Sequence, residues 1–201
     1  SYFRPAAPGQ AVRAVPGAGQ PVPIWLLGSS LFSAQLAAVL GLPFAFASHF
    51  APDLLDEALA LYRREFRPSD ELRRPCAMAA VAVCAAETDA DAARLFTSLQ
   101  QSFLNLRRGQ PGPLPPPVER MDGRWSPLER VAVAATFREA IVGSAATVAA
   151  GVASFLRRTG VYELMVTSAM YAHAPRLRSY ELVASVRHEA ADAASPAGQP
   201  G

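Results

Sequence analysis

Val22-Pro-Ile-Trp-Leu-Leu-Gly-Ser-Ser30, running on through Leu31-Phe-Ser-Ala-Gln-Leu-Ala-Ala38 to Gly41-Leu42-Pro43, decides the fold. Val22, Ile24, Trp25, Leu26 and Leu27 form a nearly continuous apolar run over 22–27, the pattern of a parallel strand covered on both faces. Gly28 permits a sharp turn, and Ser29 or Ser30 can cap a helix over 31–40. The glycine-proline break then leads into a second apolar strand over 44–48. Backbone N–H groups, hydroxyls and a helix N-terminus meeting at the end of a strand make an anion site. The same residues also read as a capped turn with no ligand.

Outward from this stretch, strand and helix patterns keep alternating. Leu55, Leu59, Tyr62 and Phe66 recur at i, i+4, i+7 and i+11 in a helix over 52–66, which Arg67-Pro68-Ser69 stops. Residues 77–85, rich in Ala and Val, make the third strand. Thr88-Asp89-Ala90-Asp91 opens a helix with a cap and an acidic first turn, and Arg107-Arg108 closes it. Its expected buried face is Ala92, Leu95, Phe96, Leu99, Phe103 and Leu106. Ser126-Pro127-Leu128-Glu129 is a capping box with proline at the first helical position. Ser144 caps a further helix that turns Val148, Val152, Phe155 and Leu156 inward. Residues 161–167 form the fourth strand, and a helix over 175–188 follows.

Four strand-helix alternations predict an α/β fold with a parallel sheet and right-handed crossovers. Four βα units are half of an eightfold barrel, and periodicity alone leaves a half-barrel and a small open sheet equally open. Residues 1–20 are Pro, Gly and Ala rich and read as a connector. The folded part is placed at 21–188, and 189–201 is read as a flexible tail.

Composition narrows the function classes. A chain of 201 residues suits one domain with a real core. Hydrophobic residues make up 51%, yet no apolar segment reaches the roughly 18–20 residues of a membrane span, and no signal peptide is visible. All 19 basic residues are arginine, scattered in ones and twos against a net charge of +2, without the basic stripe of a nucleic-acid interface. Cys76 and Cys84 share one strand-like run and would lie roughly 26 Å apart, beyond disulfide reach. His49, His173 and His188 are isolated, without metal-ligand spacing. A reducing, cytoplasmic setting without metal, membrane or nucleic acid is the expectation.

The run from Leu27 to Pro52 (LGSSLFSAQLAAVLGLPFAFASHFAP) resembles the bacterial-luciferase-like family of flavin-dependent monooxygenases. The likeness continues at Tyr62 to Ser69, Ala85 to Asp89, Val142 to Ser144, Glu163 to Val166 and Arg176 to Glu181, in the family's order, and covers Val12 to Ala184. It chooses the barrel: the C-terminal half of a (β/α)8 TIM barrel, with no counterpart here of the family's N-terminal strands. The resemblance implies reduced FMN and O2 acting on a small organic substrate. It also admits hydride chemistry with the deazaflavin F420, or a non-catalytic copy that completes its barrel with another chain. The implied partners are an N-terminal barrel half or further copies in a homo-oligomer.

The resemblance also assigns candidate residues. Gly28, Ser29, Ser30 and Ser33 stand where the family holds the flavin phosphate. The hydroxyl of Ser30 matches directly, and Ser33 takes a position where threonine is common. Ser29 stands where luciferases can have glutamate, so its backbone N–H is the contact carried over, and Gly28 admits the ligand closely. Ser48, His49 and Phe50 end the second strand and would face the ring or the substrate. His49 is an acid-base candidate because imidazole titrates near neutrality, and a packed structural histidine is the alternative. The family's catalytic histidine belongs to the N-terminal portion. Two departures loosen helix starts: Ala172, where close members have aspartate, and Ala145-Ala146, where they have Pro-Glu. The proline-rich connection over 107–124 corresponds to a loop that screens the flavin, and it reads as a lid or a linker.

Overall fold

The computed structural model describes residues 3–20 and 22–194. Residues 3–20 carry no helix or strand and fold back on themselves, with Gly19 N–H donating to Phe3 O at 3.1 Å. The ordered elements then run β1 (Leu26–Gly28), α1 (Leu31–Leu40), β2 (Phe44–Phe46), α2 (Leu55–Glu65), β3 (Ala77–Ala85) and α3 (Asp89–Arg107). They continue through α4 (Pro127–Thr136), β4 (Ile141–Gly143), α5 (Ala145–Thr159), β5 (Glu163–Thr167), α6 (His173–Ser185) and α7 (Arg187–Ala194). Every strand pairing is parallel.

Four strands make one ladder in the order β1-β2-β3-β5, with Leu26 against Phe44, Phe44 against Ala77, and Met78 against Glu163. Each is followed by a helix, so the expected four βα units are present. β4 is additional, and sequence periodicity could not reveal it because its apolar run is only Ala140 to Val142, shorter than those around β1 and β2. Its position follows from backbone parity. Cys76 O accepts from Phe44 N–H and Ala80 O accepts from Ser48 Oγ, so the even-numbered residues of β3 turn their polar groups toward β2. Ala86 N–H, of the same parity, donates to Gly143 O, whereas Ala77 O accepts from Tyr162 N–H on the β5 side. β4 therefore continues the edge that β2 leaves, pairing with the last three residues of β3.

The two faces of the ladder differ. Toward the helices, Phe44, Phe46, Ala79 and Val81 are buried against Leu59 and Tyr62 of α2 and Val148 and Phe155 of α5. On the opposite face, one register row carries Leu27, Ala45, Met78 and Glu163, and the next rows carry Ala80 with Met165 and Ala82 with Thr167. Along β5 the odd-numbered Glu163 and Met165 are exposed and Leu164 and Val166 are not, a period-2 pattern at this edge, whereas Ala45 of β2 and Ala80 and Ala82 of β3 on the same face are buried. The expectation that the first strand is covered on both faces is corrected. The strand is Leu26–Gly28 rather than 22–27, and Leu27 is 69% exposed. The apolar run is real, but among the described residues β1 is an edge strand paired with β2 alone.

Helix ends explain the other differences. Ser126 and Glu129 form the expected capping box, with Pro127 leading α4. Thr88 caps α3 through Asp91 N–H. Ser144 occupies the N-cap of α5 but makes no cap bond; instead its N–H donates to Asp89 Oδ1 at 2.6 Å. α6 begins at His173, two residues before the proline expected to open it, behind an Ala172 N-cap that offers no side-chain bond. Leu106, expected in the buried face of α3, is exposed. The last helix breaks near Val186, and α7 carries helical backbone to Ala194; residues 195–201 of the expected tail lie outside the described part. Among the described residues, no helix is long and apolar enough to cross a membrane.

Candidate functional site

The C-terminal ends of the four ladder strands bring together Gly28-Ser29-Ser30, Ala47-Ser48-His49, Ala86-Glu87-Thr88 and the segment after Thr167. The turn after β1 is built by reciprocal serines. Ser33 N–H donates to Ser30 Oγ at 3.2 Å, and Ser30 N–H donates to Ser33 Oγ at 3.3 Å, closing a capping box. Ser33 Oγ in turn donates to Ser30 O at 2.7 Å, which uses its single hydrogen. Ser33 is thus buried and committed to the turn. Ser30 Oγ has accepted one bond and keeps its own hydrogen, which reaches either Ser33 Oγ or a ligand. The hydroxyl of Ser29 and the N–H groups of Leu31 and Phe32 stand outside this network at the start of a ten-residue helix with no acidic residue in its first turn.

Gly28 plays a steric part. A Cβ there would meet Ser33 Oγ at 2.1 Å, so the space that glycine leaves is filled by Ser33 and not held for a ligand. Ser48 turns inward. It is buried, and its Oγ donates to Ala80 O at 2.6 Å, tying the end of β2 to the middle of β3. His49 packs edge-on against Phe50 at 4.6 Å between centroids. Its Nδ1 is buried without a hydrogen-bond partner, and burial pushes its pKa below the ordinary 6.5. No base-and-orienter pair accompanies it, so by geometry it is one orphaned nitrogen at the end of β2.

Two polar assemblies at the same end escaped the sequence. Ser179, fully buried on α6, accepts from Ala85 N–H at 3.0 Å and lies 3.1 Å from Ser168 Oγ, while Ser168 N–H donates to Tyr180 Oη at 3.0 Å. These bonds pin α6 across the ends of β3 and β5. Asp89 Oδ1 accepts from Ser144 N–H and from Thr147 Oγ1 at 2.8 Å, and these donors hold its carboxyl below the usual range. Serines 179 and 168 carried no local signal, since a buried serine with a distant backbone partner leaves no spacing pattern. Asp89 was legible only as a residue of the first helical turn.

The arginines near this end are structural. Arg178 bridges Glu87 at 2.7 Å and Glu181 at 3.1 Å. Arg176 donates to His173 Nδ1 at 2.9 Å, a partner that replaces the carboxylate missing at Ala172. A cleft of about 390 Å³ opens between the starts of α3 and α6, lined by Glu87, Asp91, Arg94, Pro175 and Arg178. None of Gly28, Ser29, Ser30, Ser33, Ser48 or His49 lines it. Among them Ser33 and Ser48 are buried, and the space beside Gly28 is filled by Ser33. The connection after α3 lies along that helix, with Val118 bonded to Thr97 Oγ1 and Pro116 O accepting from Gln101 Nε2 at 3.0 Å. Arg108 and Glu129 clamp its base at 2.7 Å, and the charge-assisted bond lowers the Glu129 carboxyl to about 2.

Known proteins agree with this architecture. The family model described as luciferase-like monooxygenase matches residues 1–163. A luciferase-like monooxygenase from Escherichia coli strain K12 is 51% identical over 188 residues, which cover 94% of this chain and 56% of that protein. The chain therefore spans little more than half the length of that curated relative. The solved structure of apo-MsnO8 superposes with a TM-score of 0.78 at 32% identity, over 90% of this chain and 55% of its own. The fold is shared more distantly by an FMN complex of the oxygenating constituent of 3,6-diketocamphane monooxygenase from Pseudomonas putida (TM-score 0.54, 22% identity, 80% of this chain and 47% of that one). It is shared also by an F420-dependent secondary alcohol dehydrogenase (TM-score 0.51, 13% identity, 88% and 52%). The four βα units are a partial barrel of this kind. The chain belongs to the luciferase-like monooxygenase family.

Proposed function

We propose that this chain forms the phosphate-gripping half of an FMN-dependent monooxygenase, acting in a barrel completed by an N-terminal half. One observation carries the reading: the β1–α1 turn keeps donors in reserve at the C-terminal end of a strand. The Ser29 hydroxyl, the Ser30 hydroxyl hydrogen and the N–H groups of Leu31 and Phe32 remain after the serine box is satisfied. Donors of this kind at a helix start suit a dianionic phosphate. Bound there, reduced FMN would supply the reaction with O2 that oxygenates a small organic substrate.

The chain's own residues have distinct tasks in this reading. Ser30 donates to the phosphate, and Ser29 contributes its N–H and hydroxyl. Ser33 and Gly28 fix the turn that aims these groups. Ser48 anchors the end of β2, which sets where His49 and Phe50 stand beside the ring or the substrate. His49 Nδ1, buried and unpaired, is available to take a hydrogen bond or a proton there. The strap from Arg108 to Arg124 is tied to α3 through Thr97 and Gln101.

A deazaflavin-dependent hydride transfer is the second reading, favoured by the fold shared with the F420-dependent dehydrogenase. Fluorescence titration of the completed barrel with FMN and with F420, each reduced under anaerobic conditions, separates the two. Tighter binding of FMN, followed by substrate-dependent O2 uptake, supports the first reading. Tight binding of F420 with no response to O2 overturns it.

A further inference from the structure

The cleft of about 390 Å³ between α3 and α6 is a second concave surface at the strand ends, and it shares no residue with the β1–α1 turn. Its lining is mostly apolar. Ala85 and Ala86, at the end of β3, are buried and form the floor. Leu95 of α3 stands on one side, and Ala174 and Pro175 of α6 on the other. Alanines supply most of this apolar lining, so a slot stays open between the two helices that their own side chains do not fill. Its volume lies in the range of small-molecule sites, roughly 300–1,000 Å³, which join an apolar lining to a few fixed polar groups.

The charged groups around the slot are not equivalent. Glu87 accepts from Arg178 Nε at 2.7 Å, and Arg178 spends Nη1 on Glu181 at 3.1 Å. Asp91 accepts from Thr88 Oγ1 at 2.7 Å, within the cap of α3. Arg94 differs from all of these. Among the described residues its guanidinium makes no hydrogen bond, and its one ion pair is to Glu119 at 4.0 Å, a carboxylate side chain 89% exposed. The Arg94 side chain itself is only 37% exposed. A guanidinium offers a planar fork of N–H donors that matches the two oxygens of a carboxylate. We propose that the cleft binds a small aromatic monocarboxylate, with its ring in the slot between Leu95 and Pro175 and its carboxylate on Arg94. Glu87 and Asp91 narrow the choice further, because a second carboxylate on the ligand would meet one of them. The site rests on its own lining and not on the flavin phosphate at Ser30.

The test titrates the intact chain, without flavin, against benzoate, benzamide, phthalate and benzylamine, read by ligand-observed NMR. A failure of the phosphate reading therefore leaves the result untouched. Wild type should bind benzoate saturably at one site, and benzamide, phthalate and benzylamine at least about tenfold more weakly, the usual weight of a hydrogen bond to a charged group. Arg94→Gln should weaken benzoate by about tenfold or more, and Arg94→Lys by less, since lysine keeps the charge without the fork. Ala174→Trp, which fills the slot from the exposed first turn of α6, should abolish binding. Urea midpoints of the variants should match wild type, because the Arg94 guanidinium holds no hydrogen bond and Ala174 is exposed. Should a variant fail to fold, the order of the four probes on wild type still decides. Benzamide or benzylamine binding as well as benzoate overturns the proposal. So does full benzoate affinity in folded Arg94→Gln, or the absence of saturable benzoate binding to wild type.

Discussion

Gly28 and Ser33 compete for one volume: a Cβ on Gly28 would fall 2.1 Å from Ser33 Oγ and 2.3 Å from Ser33 Cβ. Gly28 does not adopt a positive φ, so the demand for glycine comes from the serine and not from the backbone. The turn that presents Ser29 and Ser30 is therefore held by side-chain packing as well as by the capping box.

Gly28→Ala should destabilise the chain by about 1–3 kcal/mol, the usual cost of forcing an extra methyl into a filled site. Adding Ser33→Gly should recover part of that loss, since the clash is relieved while the cap is weakened. Urea midpoints of the single and double variants check this. A Gly28→Ala chain as stable as wild type would mean that the turn is loosely packed.

Leu27 and Leu59 should behave oppositely, although both belong to apolar runs in the sequence. Leu59 is buried in the sheet–helix core, and Leu59→Ala should cost about 2–5 kcal/mol. Leu27 lies on the open face, and Leu27→Ala should change the stability of the lone chain by less than about 0.5 kcal/mol. A large loss at Leu27 in chemical denaturation would show that the face is covered.

This contrast marks how far the sequence could be read. The four strand-helix alternations were legible because the helix stripes and the Ala/Val run of β3 are long enough to show a period. An apolar run, however, reports what a segment buries in its final assembly. Leu27 reads as core although it is 69% exposed. β4 was hidden by its short apolar run, Ala140 to Val142, and the start of α6 by Ala172, which leaves no capping signal. Among the candidate residues, Ser30 could be found from its place after Gly28. Sequence could not separate its reserve hydrogen from the committed one of Ser33, nor foresee that Ser48 turns toward Ala80.

His49 gives a pH dependence of known sign. Burial lowers its pKa below 6.5, so the unfolded chain takes up the proton first as the pH falls. The stability it contributes is complete above about pH 6.5 and is lost as the pH drops through that value toward the lowered folded one. Between about pH 7.5 and pH 5, wild type should lose more stability than His49→Gln. Urea titrations at the two pH values measure the difference. Parallel losses would show that His49 is not desolvated.

The affinities of reduced FMN and reduced riboflavin for the completed barrel, with Ser30 and with Ser30→Ala, bear most directly on what the β1–α1 turn does. Removing a hydrogen bond to a charged phosphate should cost roughly 1.5–3 kcal/mol and weaken FMN about tenfold to a hundredfold. Riboflavin, which lacks the phosphate, should bind both proteins alike. Equal weakening of both ligands would reduce Ser30 to a helix cap and remove the phosphate from this turn.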